Sequence, residues 1–131
     1  PEAIAQLEER LASRPDHQVS FILGDASRTI LEPCQVVLAG FYLFFLEHED
    51  FEHTWAEVRA KLKPGGIFVG QLMGPKDDWA SKVPSVHSEE EWPRLQEGFE
   101  VLHWQTDERD GATINGKSKH WHITHFILRR V

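Results

Sequence analysis

The chain has 131 residues, of which 40% are apolar, and this size and composition predict one globular domain with its own core. The 21 acidic residues outnumber the 14 basic ones, and the resulting net charge of −7 disfavours a nucleic-acid partner. No apolar run reaches the about 20 residues that a membrane-spanning helix needs, and no secretory signal pattern opens the chain. A single cysteine cannot form an internal disulfide, so we expect a cytoplasmic protein without a membrane partner.

The first segment has the pattern of a helix followed by a short strand. Pro1 suits the first helical position, where its missing N–H would have no partner in any case. The apolar side chains recur at helical spacing, and they are Ile4, Leu7 and Leu11. Val19 to Leu23 then predicts a strand, which the polar run from Gly24 to Ser27 ends. The next few residues, from Arg28 to Glu32, are expected to form a loop.

A strand–helix–strand unit is predicted in the middle of the chain. Gln35 to Ala39 is apolar without alternation, as expected of a strand covered on both faces. After an aromatic crossing segment, Asp50 is expected to cap a helix that ends at Leu62. The sequence Pro64-Gly65-Gly66 predicts a tight turn into a buried strand, Ile67 to Leu72. Because a helix joins the two strands, they should lie parallel.

The third quarter of the chain is expected to be mostly irregular. Met73 to Val86 is a long polar loop, and long loops in compact domains are either functional lids or exposed connections. Ser88 to Glu91 fits a capping box at the start of a short helix that ends near Gly98.

The last segment predicts two strands, Phe99 to Gln105 and His120 to Arg129, with a turn or exposed loop from Thr106 to Lys119 between them. Two strands without an intervening helix form an antiparallel hairpin. The predicted fold class is therefore α/β, with a mostly parallel sheet and an antiparallel C-terminal hairpin.

Two stretches of sequence resemble a known family. The run "LKPGGIFV", preceded by "CQVVLAGFYLFFL", resembles the class I S-adenosylmethionine-dependent methyltransferases. The wording "FYLFFLE" and "KHWHITHFILRR" is similar to the tellurite-resistance-like branch of the small-molecule methyltransferases. The resemblance implies a Rossmann-like sheet, S-adenosylmethionine as cofactor and a small-molecule methyl acceptor.

The resemblance also assigns residues to the methyl donor. It places Asp25 and Ala26 at the adenine, with the carboxylate accepting a hydrogen bond from the adenine amino group. Ala39, Gly40 and Phe41 fall where the family binds the methionine part of the donor. From the residues alone, a turn that ends a strand is the favoured explanation of Asp25, and close packing also explains the small residues.

The acceptor side has fewer signals. Trp79 in the long loop and His87 at its end are the candidates for substrate contact, and His87 also for proton transfer. His120 and His122 share one face of the last strand, but no cysteine cluster or metal-binding helix motif accompanies them, so we expect no metal site. No nucleophile elbow and no phosphate-binding loop is present.

Two parts of the family's donor site have no counterpart in this sequence. These are a glycine-rich turn after the first strand and an acid that ends the second strand. Residues 1–131 are therefore expected to form a single domain that matches the C-terminal two-thirds of a methyltransferase domain, with N-terminal strands missing. Exposed sheet edges would favour self-association.

Two other functions are also compatible with these sequence patterns. One is a non-catalytic binding or scaffold protein on a degenerate or truncated methyltransferase fold. The other is a fragment of a dinucleotide oxidoreductase, because Rossmann-like halves look alike. As given, the chain is expected to lack useful affinity for the methyl donor.

Overall fold

The four strands form one mixed sheet in the order β1-β2-β4-β3, and the computed structural model describes all 131 residues. The strands are β1 (Cys34–Ala39), β2 (Leu62–Met73), β3 (Phe99–Ala112) and β4 (Ser118–Arg130). The helices are α1 (Glu2–Leu11), α2 (His48–Lys61) and α3 (Trp92–Gln96). Short 3₁₀ turns lie at Ala26–Arg28, Leu43–Phe45 and Glu89–Glu91.

The predicted strand pairing is confirmed. β1 and β2 are parallel neighbours, with Val36 opposite Ile67 and Ala39 opposite Gly70. β3 and β4 pair antiparallel, and β4 also pairs antiparallel with β2, where Met73 lies opposite Ile123. Because β1 and β2 are parallel, their carboxyl ends lie at the same edge of the sheet.

The sequence pattern predicted that Pro64-Gly65-Gly66 forms a turn before the strand. In the structure these residues lie inside β2. The register between β1 and β2 shifts at this point, so the segment is a bulge at the start of a longer strand. Gly65 has φ +81°, a conformation that favours glycine. A Cβ at Gly66 would lie 2.8 Å from the carbonyl oxygen of Lys63, so a side chain does not fit there.

The core lies between the sheet and α2. Phe51, Trp55 and Val58 form the buried stripe of α2, as their spacing predicts. The Trp55 ring packs 5.0 Å from that of Phe68 and 5.3 Å from that of Phe126. Burial of each such side chain contributes about 1.5–3 kcal/mol. The indole N–H of Trp55 donates to the carbonyl oxygen of Leu95, which fixes α3 against α2.

The predicted strand from Val19 to Leu23 is wrong, since this segment has no regular structure. No neighbouring strand pairs with its backbone, and its apolar side chains are exposed, Ile22 by 71% and Leu23 by 66%. Helix α1 forms as predicted but buries none of its residues. A strand pattern needs a partner strand to become a strand, and the described chain offers none here.

Two other boundaries differ from expectation. Helix α2 begins at His48 with Glu47 at the N-cap, so Asp50 lies in the first turn and does not cap it. The region from Thr106 to Lys119 is mostly strand, because the hairpin continues to a tight turn near Gly116, where φ is +77°. The capping box from Ser88 to Glu91 is confirmed, and the helix behind it ends two residues before Gly98.

None of the three helices combines the length and the apolar character that crossing a membrane would require.

Candidate functional site

Three cavities are candidates for ligand binding. The first lies at the carboxyl end of β1, the second between the loop after β2 and the tip of the β3–β4 hairpin, and the third, which is polar, between the start of that loop and the segment around Ser88. The β1 cavity has a volume of about 350 Å³ and is bounded by the end of β1, the 3₁₀ turn at Ala26–Arg28 and one side of α2. It gathers three of the five residues assigned to the donor, namely Ala26, Ala39 and Gly40.

Asp25 adjoins the β1 cavity and holds the turn that forms its wall. Its Oδ1 accepts hydrogen bonds from the hydroxyl of Ser27 at 2.7 Å and from the Ser27 amide at 3.0 Å. These two bonds lower the pKa of Asp25, the hydroxyl contributing more than the amide. The second oxygen lies 3.6 Å from the Arg28 guanidinium. The turn-capping role is thus present in the structure, and one carboxylate oxygen is left for a ligand.

The β1 cavity carries polar groups that the sequence did not single out. Thr54 lines it from α2, and its hydroxyl oxygen is buried without a hydrogen-bond partner. Tyr42 lines it from the crossing segment, and burial, followed by the charges of Asp25 and Asp50, raises its pKa. A mostly apolar cavity with a few such polar groups suits a flat, weakly polar ligand.

Phe41 is held in an unusual backbone conformation at the end of β1. Its φ is +48°, which is rare for a residue other than glycine. Its amide donates to Oε1 of Gln71 at 2.7 Å, a contact that fixes this conformation from β2. Strained backbone of this kind often marks a functional site. Phe41 does not line the β1 cavity but faces a second space.

That second space, which we call the hairpin groove, lies between the loop after β2 and the tip of the β3–β4 hairpin. Its volume is about 770 Å³, and its aromatic residues are Phe41, Trp79 and Trp121. The ring centroids of Trp79 and Trp121 are 5.8 Å apart. The structure thus brings Trp79, a predicted acceptor residue, together with Phe41, a predicted donor residue.

The loop from Gly74 to Ser88 is fastened to β4. The Asp77 carboxylate accepts a hydrogen bond from the His122 amide at 2.9 Å and one from Lys119 Nζ at 2.6 Å. The Lys76 amide donates to Nδ1 of His122, so the neutral His122 ring carries its proton on Nε2. A Cβ at Gly74 would collide with the His122 ring, which explains glycine at that position. These contacts favour a fixed wall over a mobile lid.

His87 lies in a third, polar cavity of about 420 Å³, apart from Trp79. The residue is 4% exposed, and its ring centre lies 4.2 Å from that of Phe51, with the two rings tilted by 33° to each other. Burial lowers the pKa of His87, and the negative charge of Glu91 only partly opposes this effect. Nδ1 is buried without a partner. A neutral imidazole of this kind can accept a proton, but it does not share a cavity with Trp79.

The paired histidines of the last strand have different partners. His120 bridges two carboxylates, with Nδ1 2.7 Å from Asp110 and Nε2 3.0 Å from Glu108. Those bonds, first to Asp110 and then to Glu108, raise the pKa of His120. No group of three or more His, Cys, Asp or Glu side chains is arranged to hold a metal ion.

Several residues of these cavities escaped the sequence analysis. In the β1 cavity they are Tyr42 and Thr54, and in the hairpin groove they are Lys82, Lys117 and Trp121. Only the position of Trp121 between His120 and His122 gave a signal, since alternation places it on the opposite face of β4.

Comparison with known proteins supports the fold at low sequence identity. The structure of TehB from Haemophilus influenzae matches with a TM-score of 0.81 and 16% identity, covering 99% of this chain and 47% of that one. The N-methyltransferase NodS from Bradyrhizobium japonicum WM9, solved with S-adenosyl-L-homocysteine, matches with a TM-score of 0.71 and 16% identity over 99% of this chain and 62% of that one. No protein-family model matches the chain.

A curated relative gives a partial match in sequence. Carboxy-S-adenosyl-L-methionine synthase from Chromohalobacter salexigens is 31% identical over 70 residues, which are 53% of this chain and 26% of that protein. The chain thus spans about a quarter of this relative and about half of TehB. Its fold is that of part of a class I S-adenosylmethionine-dependent methyltransferase.

Proposed function

We propose that the protein containing this chain transfers a methyl group from S-adenosylmethionine to a small-molecule acceptor. The observation that carries the proposal is the junction of two spaces at the end of β1. Ala39 and Gly40 open to the β1 cavity, and the next residue, Phe41, opens to the hairpin groove. On this proposal, one short segment separates the space for the donor from the space for the acceptor.

On this proposal, the donor lies against the residues that the resemblance assigns. Asp25, through its free oxygen, and Ala26 hold the adenine. Ala39, Gly40 and the backbone of Phe41 hold the methionine part, while the Phe41 ring faces the hairpin groove. The hydroxyl of Thr54 gains a partner when the nucleoside is bound, which removes the cost of a buried polar atom without a hydrogen bond.

On the acceptor side, Trp79 forms the wall of the hairpin groove. The acceptor's nucleophilic atom attacks the methyl carbon, the bond between carbon and sulfur breaks, and its electron pair stays on the sulfur. The chain needs chiefly to align the two molecules for this reaction. A proton released by an acceptor in the groove leaves to solvent, because His87, neutral through burial, lines the polar cavity, and the two spaces share no lining residue.

A second candidate, a non-catalytic scaffold that self-associates, is favoured by the outer edge of β1. That edge has no partner strand, and Val36 and Leu38 are exposed by 63% and 73%. The dinucleotide oxidoreductase alternative has less support, because the antiparallel β3–β4 hairpin matches the methyltransferase structures. We place the protein in the cytoplasm, in keeping with its one free cysteine.

The experiment that tests the proposal blocks the donor cavity without disturbing the fold. A Cβ at Gly40 would meet no atom within 4 Å and φ there is not positive, so Gly40→Leu should fold and project into the β1 cavity. In the full-length gene product, we expect this change to weaken binding of S-adenosylhomocysteine about tenfold or more, measured by calorimetry.

Gly24→Leu is the matched control, because Gly24 is equally open but does not line the cavity. It should leave the affinity unchanged. Equal affinity in the two variants would place the donor elsewhere, and no binding by the unaltered gene product would favour the scaffold.

A further inference from the structure

We propose that the hairpin groove binds a planar aromatic acceptor that carries a negative charge. This inference rests on the proposed function, because it identifies the ligand as the methyl acceptor, but the binding itself can be tested without any methyl donor. It follows from the shape of the groove, the side chains that form it and the charges at its rim.

The walls of the groove are aromatic and fixed in place. The Trp79 and Trp121 rings are tilted by 52° to each other. Lys119 Nζ lies 3.4 Å from the ring centre of Trp121 and 4.4 Å from that of Trp79, so one buried cation orients both rings. Phe41, 49% exposed, presents its ring from the end of β1. Preformed aromatic walls favour a flat ring over a flexible chain, since less freedom is lost on binding.

The charges in the groove favour an anion. Four ionisable side chains line it, and they are Asp78, Lys82, Lys117 and Lys119. Lys119 is neutralised by Asp77 at 2.6 Å. Lys82 and Lys117 are exposed and form no ion pair, although the chain as a whole has a net charge of −7. Asp78 is the one acid, and its Oδ2 already accepts the amide of His120 at 2.7 Å. Two free ammonium groups therefore remain for a ligand.

The size and the open end of the groove limit the ligand further. A volume of about 770 Å³ lies within the range of about 300–1,000 Å³ that small-molecule sites occupy. Ile114, at the hairpin tip, is fully exposed and lines the open end. A ring system of two or three fused rings suits this volume, and Lys82 and Lys117 line the same groove as Ile114.

The test compares three probes of similar size in NMR titrations of the 131-residue chain labelled with ¹⁵N. The probes are 2-naphthoate, 2-naphthylmethylammonium and decalin-2-carboxylate, which separate charge from ring planarity. The readout is the set of indole N–H signals of the five tryptophans. We expect 2-naphthoate to shift the signals of Trp79 and Trp121 and to leave that of the core residue Trp55 in place. The other two probes should bind at least about fivefold more weakly.

Variants assign the effect to the groove. Lys82→Gln combined with Lys117→Gln should weaken 2-naphthoate binding about fivefold to tenfold. Lys63→Gln is the matched control, because Lys63 is also exposed and unpaired but lies outside the groove. Both changes are at exposed positions, so the fold should persist, and the unchanged Trp55 signal verifies this.

The outcomes separate this inference from the proposed function. Tighter binding of the ammonium probe, equal binding of the saturated acid, or shifts confined to Trp92 in the polar cavity would each overturn it. Binding of S-adenosylhomocysteine by the gene product without any 2-naphthoate binding would leave the proposed function standing and remove this inference. Binding of 2-naphthoate in the groove without binding of S-adenosylhomocysteine by the gene product would leave the groove as a binding site and remove the proposed function.

Discussion

The ammonium of Lys119 lies 2.6 Å from the carboxylate of Asp77, and the two side chains are 1% and 0% exposed. The pair joins β4 to the loop after β2, since each residue comes from one of these elements. The Asp77 carboxylate also accepts hydrogen bonds from the backbone amides of Trp79 and His122, which help to stabilise its negative charge. This pair, more than the many surface charges, keeps the loop in one position.

We predict that Asp77→Asn lowers the free energy of unfolding by about 3–5 kcal/mol. The substitution leaves the Lys119 ammonium buried without a counter-charge, which is the costly way to break such a pair. Urea denaturation followed by circular dichroism measures the change. Lys119→Met leaves the Asp77 carboxylate buried without a counter-charge, but the amides of Trp79 and His122 still donate to it, so this change should cost less.

The control is an exposed ion pair of the same sheet. Arg129 Nη1 lies 3.0 Å from Glu100, both at the surface, and Arg129→Met should cost no more than about 1 kcal/mol. A similar loss in Asp77→Asn and Arg129→Met would show that burial of the Asp77 pair contributes nothing.

The second prediction concerns the loop itself. The sequence suggested a lid more mobile than the Pro64-Gly65-Gly66 segment, whereas the amides of Gly74, Asp78 and His87 all donate to β-strand carbonyls. We expect hydrogen exchange at these amides to be as slow as in β2 and to speed up in Asp77→Asn. Fast exchange in the unaltered chain would restore the mobile-lid interpretation.

The sequence was informative wherever local chemistry determines the structure. The parallel pairing of β1 and β2 follows from the helix between them, and the capping box at Ser88 from the glutamate three residues later. The buried stripe of α2 follows from spacing alone. Ala26, Ala39 and Gly40 were placed by resemblance, and the structure brings them into one cavity.

What the sequence missed depends on contacts between distant segments. Val19 to Leu23 has strand composition, but a strand exists only where a neighbour accepts its hydrogen bonds. The hairpin extends to Ala112 because polar residues opposite one another, such as Asp110 and His120, pair across it. The sequence around Lys119 gives no sign that its side chain is buried. Nor does the loop sequence show that Trp79 and His87 lie in different cavities.

The third prediction concerns Asp25. In the full-length gene product, Asp25→Ala should weaken binding of S-adenosylhomocysteine severalfold, because the proposed hydrogen bond from the adenine amino group to the carboxylate is lost. Calorimetry gives the difference. The change also removes the cap of the 3₁₀ turn, so an effect on the turn must be separated from an effect on the contact.

Ser27→Ala makes that separation. It removes the 2.7 Å bond from the Ser27 hydroxyl, the strongest of the three influences that lower the pKa of Asp25, but keeps the carboxylate. We expect a small effect on affinity from Ser27→Ala and a large one from Asp25→Ala. Equal effects would mean that Asp25 only shapes the turn.

The fourth prediction is a pH dependence of stability centred on His120. Its pKa is raised above the ordinary 6.5 by Asp110 and Glu108, so the folded chain binds the proton more tightly than the unfolded chain. The stabilisation is complete below pH 6.5 and is lost as the pH rises through the folded-state pKa. His120→Gln should therefore destabilise the chain at pH 5.5 and have little effect at pH 9, as measured by thermal unfolding at both values.

His87 should give the folding stability a pH dependence of the opposite sign to that of His120. Its pKa is lowered by burial, so the folded state disfavours the proton, and stability falls as the pH drops below 6.5. His87→Gln should make the chain less sensitive to acid below pH 6.5, whereas His120→Gln should lower stability by a constant amount there and change its pH dependence only above pH 6.5. The same pH profile in both variants would contradict the assigned directions.

The last prediction is that residues 1–131 alone bind S-adenosylhomocysteine too weakly to be useful. The chain supplies the adenine side and part of the methionine wall, but neither the glycine-rich turn nor the ribose-binding acid that the resemblance implies has a counterpart in it. Each missing hydrogen bond from a ribose hydroxyl to a carboxylate would have contributed about 1.5–3 kcal/mol, so affinity should fall at least about tenfold to a hundredfold. The open edge of β1 beside the cavity, with Leu38 73% exposed, adds to the loss because no strand supports the ligand from that side. Calorimetric titration of the 131-residue chain with S-adenosylhomocysteine measures its affinity. Micromolar binding by these residues alone would show that the donor is held by residues other than those of the β1 cavity.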